Sequence, residues 1–191
     1  MSRYYQDRDT ADDAQAGSPS SCLEKILFVF ILALAAFMLL GVGFGSSSAG
    51  GECQVNSSFP AEVRQWCTLI TQHANQNHLD ADLIAALIWY ESGGMFDAYS
   101  HSGAVGLMQV MPRDGKAASF QCEGQPCFQD RPSTRQLRNP AFNIQYGTQL
   151  LKQLVKKHRG NLREALKEYG PIDVGYGYAD TILSIFYQYR G

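Results

Sequence analysis

The sequence has no excess of charge of either sign. It carries 16 Lys and Arg against 18 Asp and Glu over 191 residues. Residues 1–51 hold three basic and five acidic residues, which leaves 13 of each sign for the rest of the chain. Polyanion-binding domains concentrate positive charge. The composition therefore gives no indication that nucleic acid is a partner.

The sequence also lacks convincing β-strand alternation, internal repeats and the Gly-x-Ser-x-Gly turn of serine hydrolases. Ser102, His101 and Asp97 supply the residue types of a Ser-His-Asp hydrolase. Without the strand and turn that expose such a serine, this hypothesis is disfavoured. The chain is expected to be all-α.

Cysteine is scarce, and no Cys-x-x-Cys spacing occurs among the five cysteines. The histidines follow no ligand pattern, so a zinc site is the weaker alternative, and no metal or other cofactor is expected. The last four cysteines form an even set, as in oxidised proteins with disulfides. The simplest of three connectivities pairs Cys53 with Cys67 and Cys122 with Cys127.

Residues 26–44 contain no charged or strongly polar side chain. A helix of this length nearly crosses the hydrocarbon core of a bilayer, so we predict a transmembrane anchor. Lys25 precedes the segment and the next basic residue is Arg64, which places the N-terminus in the cytoplasm and the rest outside. A cleaved signal peptide is the alternative, because Ser47-Ser48-Ala49 offers small residues for cleavage. The long, acidic leader favours the uncleaved anchor.

The anchor divides the chain into four parts. Residues 1–25 are polar without hydrophobic periodicity, and we predict a disordered cytoplasmic tail. Residues 45–58 form a predicted Gly/Ser linker. Residues 59–191 form the predicted folded domain.

The strongest functional signal lies in residues 80–112. Asp80 can cap a helix, and apolar residues recur at helical spacing at Leu83, Ile84, Leu87 and Ile88. Glu91 continues that apolar face where Gly93-Gly94 end the helix. Burial and the negative end of the helix dipole would both raise the pKa of Glu91, as suits a general acid. The alternative is a glutamate that extends into water.

Further helices are predicted on both sides of this one. One follows Pro60 and ends near residues 75–78, one starts at Asn139-Pro140 and stops at Gly160, and one starts at Asn161 with a pattern similar to a capping box. A last helix begins near Tyr178. The stretch between Pro112 and Asn139 is predicted to be a surface loop held by a disulfide.

Four places in the sequence carry a resemblance to a known family. They are Glu91-Ser92-Gly93, the run GAVGLMQVMP at residues 103–112, Asn143-Ile144 and a tyrosine near the C-terminus. At these places the sequence resembles the soluble (SLT) type of lytic transglycosylase domain. This family is related to goose-type lysozyme, and the resemblance covers about residues 60–190. It implies a lysozyme-like helical domain with a substrate groove. It also implies cleavage of the β-1,4 bond between N-acetylmuramic acid and N-acetylglucosamine in peptidoglycan.

The resemblance further implies roles for individual residues. Glu91 would be the catalytic acid and then base, giving a 1,6-anhydro sugar. Tyr169 would contact Glu91 from the position of the family's Tyr-Asn-Ala-Gly motif, whereas the residues alone leave a structural carbonyl as the commoner partner of a buried tyrosine hydroxyl. Here the motif departs, because Tyr169 runs directly into Gly170-Pro171. The expected substrate-binding residues are Ser92, which would orient Glu91, the segment Gly106, Leu107, Met108 and Gln109, and Tyr178 as a further helper.

Two alternatives remain open at this stage. With Asp97 as a second carboxylate, the domain would be a lysozyme-type hydrolase. An inactive wall-binding module of a secretion, envelope or phage apparatus is the other, and retention of Glu91 argues against it.

Overall fold

The computed structural model describes residues 52–190. The predicted tail 1–25, the predicted anchor 26–44 and the first half of the predicted linker, residues 45–51, lie outside the described residues. Within the described part, no helix is both long enough and apolar enough to cross a membrane.

The described chain is largely helical, in agreement with the all-α prediction. The helices are α1 (Ala61–Arg64), α2 (Cys67–Asn77), α3 (Ala81–Ser92), α4 (Thr134–Leu137), α5 (Pro140–Lys157), α6 (Leu162–Tyr169) and α7 (Tyr176–Tyr189). A 3₁₀ helix (Gly115–Ser119) and an antiparallel hairpin of β1 (Gln121–Cys122) and β2 (Gln125–Pro126) lie between α3 and α4. Sequence reasoning missed this hairpin, whose two-residue strands are too short to alternate visibly.

Helix α3 is the centre of the domain. Asp80 caps it, accepting a hydrogen bond from Asp82 N at 2.9 Å, and Gly93 ends it at a φ of 59°. No side chain from Leu83 to Ile88 is more than 1% exposed. The prediction of a single apolar face was therefore too narrow, because α1, α2 and α7 pack around α3 and residues 83–88 are buried on every face of the helix.

The helix predicted after Pro60 is divided into α1 and α2, with the break at Gln65 and Trp66. The Trp66 indole Nε1 donates a hydrogen bond of 2.9 Å to the Gly94 carbonyl. The break thus directs an aromatic side chain to the turn that follows α3.

Residues 52–58, assigned to the linker from sequence, are packed on the domain. The Asn56 N–H donates to Asp82 Oδ1 at 2.7 Å. The predicted disulfide between Cys53 and Cys67 is present and joins this segment to α2. The last residues before α1 are thereby fixed to the N-terminal ends of α2 and α3.

The second predicted disulfide, Cys122–Cys127, is also confirmed and closes the hairpin. Helix α4 follows, with a capping box of Ser133 and Gln136. The predicted stapled loop thus has short elements of its own.

The remaining helices begin close to their predicted starting residues. Asn139 accepts from Phe142 N at the start of α5, and Asn161 accepts from Glu164 N at the start of α6. The reciprocal half of the predicted capping box is missing, because the Glu164 carboxylate accepts a hydrogen bond of 2.5 Å from the Tyr176 hydroxyl. This bond links α6 to the first residue of α7.

Candidate active site

Glu91 lies in the last turn of α3 and is half-buried. Burial raises the pKa of its carboxyl to about 7, and a hydrogen bond from Tyr178 opposes part of that rise. Burial is thus the dominant influence on this pKa. A carboxyl with this pKa can both give and take a proton near neutral pH.

Tyr178, on α7, donates its hydroxyl hydrogen to Glu91 Oε1. The ring is 2% exposed and lies edge-on to Tyr90, with centroids 5.2 Å apart. Burial and the neighbouring Glu91 charge both raise the pKa of Tyr178, so the phenol stays protonated and acts as a donor. Within residues 52–190 the second oxygen of the Glu91 carboxyl accepts no hydrogen bond.

Gly170 makes room for the Tyr178 ring. A Cβ atom at position 170 would lie 2.5 Å from ring atoms of Tyr178. A Cβ atom closer than 3.0 Å to another heavy atom requires one of the two to shift. The Tyr169-Gly170 sequence, where the motif departs from the family pattern, therefore has a packing role at the site.

The contact to Glu91 predicted for Tyr169 is corrected by the structure. The Tyr169 hydroxyl donates instead to the Met108 carbonyl at 2.9 Å. Burial, with the Glu91 charge adding to it, raises the pKa of Tyr169, so this phenol also stays protonated. Tyr169 is the last residue of α6 and its hydroxyl is directed to the Met108 carbonyl, so Tyr178 of α7 supplies the contact to Glu91.

Residues 106–109 form a tight loop beside α3. Val105 and Val110 close it with two backbone hydrogen bonds of 3.0 and 3.1 Å. Gly106 has a φ of 77°, and a Cβ there would lie 2.4 Å from the Asn143 amide nitrogen. A glycine is required at this position on both grounds.

Asn143 on α5 holds this loop in place. Its side chain is fully buried, accepts from Met108 N at 2.8 Å, and donates to the carbonyls of Val105 at 2.8 Å and Leu137 at 3.0 Å. Sequence reasoning used Asn143 only as part of a resemblance. The available signal was an amide at the start of an apolar helical face, which requires polar partners when buried.

Ser92 is buried and forms no hydrogen bond with Glu91 in the described structure. Its hydroxyl donates to the Leu107 carbonyl at 2.9 Å and to the Ile88 carbonyl at 3.1 Å. The same hydroxyl accepts a hydrogen bond of 3.2 Å from Gly94 N. Ser92 therefore fixes the end of α3 to the 106–109 loop. It holds Glu91 through the backbone rather than by direct contact.

The predicted substrate-binding side chains of Leu107 and Met108 are fully buried, so neither side chain is open to a ligand. The Met108 N–H and carbonyl are occupied by Asn143 and Tyr169. Gln109 is half-buried, with a φ of 43° and a side-chain amide that donates to the Gly106 carbonyl at 2.9 Å. Gln109 is the member of the segment that remains partly accessible.

The residues of the alternative hypotheses are not assembled into sites. Asp97, His101 and Ser102 are exposed, and no hydrogen bond joins them within residues 52–190. The same residues contain no group of three or more His, Cys, Asp or Glu side chains placed to hold a metal ion. The chemistry available at this site is proton transfer by one carboxyl with a phenol beside it.

The helical domain that carries Glu91 at the end of its central helix is similar to solved lytic transglycosylases. The structure of an inactive mutant of the lytic transglycosylase Slt from Pseudomonas aeruginosa is similar, with a TM-score of 0.50 and 26% identity over 63% of this chain and 23% of that one. The family model of the transglycosylase SLT domain matches residues 68–173. The chain belongs to this family.

Curated relatives agree with this assignment. The chain is 30% identical over 128 residues to membrane-bound lytic murein transglycosylase E of Buchnera aphidicola subsp. Acyrthosiphon pisum. It is 31% identical over 125 residues to membrane-bound lytic murein transglycosylase C of Actinobacillus pleuropneumoniae serotype 5b. The matches cover 67% and 65% of this chain but only 57% and 33% of those relatives.

Proposed function

We propose that the protein is a peptidoglycan lytic transglycosylase that cleaves the β-1,4 bond between N-acetylmuramic acid and N-acetylglucosamine. The observation that carries the proposal is the half-buried Glu91, with a pKa of about 7 and a hydrogen bond from Tyr178. Membership of the SLT family and the names of the relatives support the same substrate.

In the proposed reaction, protonated Glu91 donates its proton to the glycosidic oxygen, and the bond to C1 of the muramic sugar breaks. The N-acetyl group of that sugar stabilises the cation. Glu91, now ionised, takes the proton of the C6 hydroxyl as O6 bonds to C1, which closes the 1,6-anhydro ring and restores the acid. The Tyr178 bond to Oε1 leaves Oε2 to carry the proton in both steps.

A single carboxyl favours this chemistry over hydrolysis. A two-carboxylate hydrolase needs a second group to act as nucleophile or to activate water. Asp97 is exposed and does not perturb the pKa of Glu91. An intramolecular hydroxyl needs only a base at the right position, and its proximity replaces the activation of water.

We further propose that the 106–109 loop forms a wall of the sugar site. Gln109, the partly accessible member of the loop, would contact N-acetyl groups, because the Met108 N–H and carbonyl already have partners. Ser92, Leu107, Met108 and Tyr169 would act by holding that loop and Glu91 in register. Their buried positions support this positioning role.

Digestion of purified peptidoglycan followed by mass analysis tests the proposed reaction. We expect muropeptides lighter by one water than lysozyme products and resistant to borohydride at the muramyl end. Glu91→Gln should abolish them, whereas Asp97→Asn, at an exposed acid of the next loop, should not. Reducible muramyl ends as the main product would make the protein a hydrolase, and wild-type inactivity would favour the wall-binding module.

We also propose that residues 26–44 anchor the domain on the outer side of the cytoplasmic membrane. The support is the uncharged run and Lys25 before it. Protease added to intact spheroplasts should remove the folded domain. A mature chain beginning near residue 50 would refute the anchor.

A further inference from the structure

The turn that follows Glu91 is held by two elements outside α3. The first is the 106–109 loop, because the Ser92 hydroxyl donates to the Leu107 carbonyl at 2.9 Å. The second is the junction of α1 and α2, because the Trp66 indole Nε1 donates to the Gly94 carbonyl at 2.9 Å. Glu91 lies in the last turn of α3, directly before the residues that make these two attachments.

Gly94 is in close contact with α1 as well. It is buried, its φ is 84°, and a Cβ atom at this position would overlap the Glu62 carbonyl, so a glycine is required. The Gly94 N–H also donates to the Ser92 hydroxyl at 3.2 Å. A displacement of Gly94 is therefore transmitted to Ser92, the neighbour of Glu91.

The position of Trp66 is fixed by the chain around it. Its N–H donates to the Val63 carbonyl at 3.0 Å, and its carbonyl accepts from Ile70 N at 2.9 Å. The next residue, Cys67, forms the disulfide that joins the N-terminal segment of the domain to α2. The indole is therefore a fixed donor against which the Gly94 carbonyl is held.

A packing role alone does not require this direction of the indole. Trp66 is half-buried, so water can satisfy its N–H, and Phe96 already contacts the ring edge-on with centroids 6.2 Å apart. The N–H is nevertheless bonded to a carbonyl three residues beyond Glu91. Helix ends fray where their last backbone groups are not held, and fraying here would admit water to the Glu91 carboxyl.

We infer that Trp66 is a positioning residue for Glu91: its hydrogen bond to Gly94 keeps the last turn of α3 closed and the carboxyl sheltered from water. It acts through the backbone of the turn. The inference rests on the proposed function for the reaction that Glu91 performs, but the sheltering is a property of the folded domain without substrate.

The test is a pH titration of the Glu91 carboxyl in the folded, substrate-free domain. The side-chain carboxyl carbon is followed by NMR with labelled glutamate and is assigned by its absence in Glu91→Gln. Tyr169 and Tyr178, which sense the Glu91 charge, stay protonated because their pKa values are raised, so the midpoint reports Glu91 itself. In the wild type the midpoint should lie near the pKa of about 7.

Trp66→Phe keeps an aromatic ring and removes the N–H. Because water then reaches the carboxyl, we expect the midpoint to fall toward 4.5, by roughly half a pH unit or more. This direction is opposite to the one expected when the Tyr178 hydroxyl is removed. If Trp66→Phe does not fold, benzothienylalanine at position 66, an analogue of tryptophan with sulfur in place of the ring N–H, makes the same test.

Thr71→Val is the matched control for loss of stability. The Thr71 hydroxyl is buried on α2 and accepts a hydrogen bond of 2.9 Å from Gln54 N, so this variant loosens the N-terminal segment without changing the contact to Gly94. It should lower the free energy of unfolding and leave the Glu91 midpoint in place. An unmoved midpoint in Trp66→Phe, or an equal shift in Thr71→Val, would overturn the inference.

Turnover of purified peptidoglycan gives a second measurement. Trp66→Phe should lower kcat by roughly tenfold or more with little change in KM, since a misplaced acid affects the chemical step more than binding. An unchanged kcat would also overturn the inference. Because the titration needs no substrate, absence of anhydro products in the wild type would overturn the proposed reaction alone.

Discussion

Replacing Glu91 by Gln should stabilise the folded domain, by an amount that grows with pH. Burial raises the pKa of this carboxyl from 4.5 to about 7, so the folded state holds the proton more tightly than the unfolded chain does. The stability that this proton gives is fully present below pH 4.5 and is lost as the pH rises through about 7. An amide of the same shape has no proton to lose, and it can still accept the hydrogen bond from Tyr178.

The magnitude follows from the two pKa values. Their difference corresponds to about 3 kcal/mol in the free energy of unfolding once both states are ionised, and solvent access to the half-buried carboxyl makes this an upper value. We therefore expect the difference between variant and wild type to be small near pH 4.5. It should increase toward about 3 kcal/mol by pH 8 to 9 and then stay level.

Urea unfolding at several pH values, with the disulfides intact, measures this difference. Glu62→Gln, at an exposed glutamate of α1, controls for the loss of one negative charge. A Glu91→Gln difference that is independent of pH, or that decreases as the pH rises, would refute the argument that burial destabilises the ionised carboxylate. It would also remove the basis for Glu91 as an acid near neutral pH.

Three further predictions concern the groups around Glu91. Tyr178→Phe removes the hydrogen bond that holds the Glu91 pKa down, so the basic limb of the kcat/KM profile should move to higher pH; an unmoved limb would contradict this role. Gly170→Ala should lower activity because the added Cβ would overlap the Tyr178 ring. Gly177→Ala is the control and should not lower activity, because the nearest atom to its added Cβ is 3.9 Å away. Equal activities of the two variants would contradict the packing role of Gly170. Asn143→Ala deletes three buried hydrogen bonds and should lower the free energy of unfolding by roughly 2–4 kcal/mol in urea titrations. A loss under about 1 kcal/mol would contradict the role of Asn143 in holding the 106–109 loop.

Sequence reasoning was most accurate where structure depends on neighbours along the chain. Asp80 and Asn161 were expected to cap α3 and α6, and each accepts the predicted type of hydrogen bond from a backbone N–H two or three residues ahead. The two disulfides were predicted from the shortest spacings. The hairpin was missed because its strands contain only two residues each.

In the candidate site, the position of the acid followed from local sequence but its partner did not. Glu91 was located from its place on the apolar face of a capped helix, and its raised pKa follows from burial that the pattern already indicated. The sequence motif, however, pointed to Tyr169 as its partner. The phenol that reaches the carboxyl is that of Tyr178.

The sequence by itself determined the helical character of the domain, the ends of its central helix and the position of its acid, because caps, glycine stops and apolar periodicity act within a few residues. Tertiary structure alone decided which tyrosine meets Glu91 and that Asn143 holds the 106–109 loop. Tyr178 lies 87 residues from Glu91 along the chain. A contact over that separation depends on how α7 packs against α3, and moving the start of a helix by one residue rotates every side chain by about 100°.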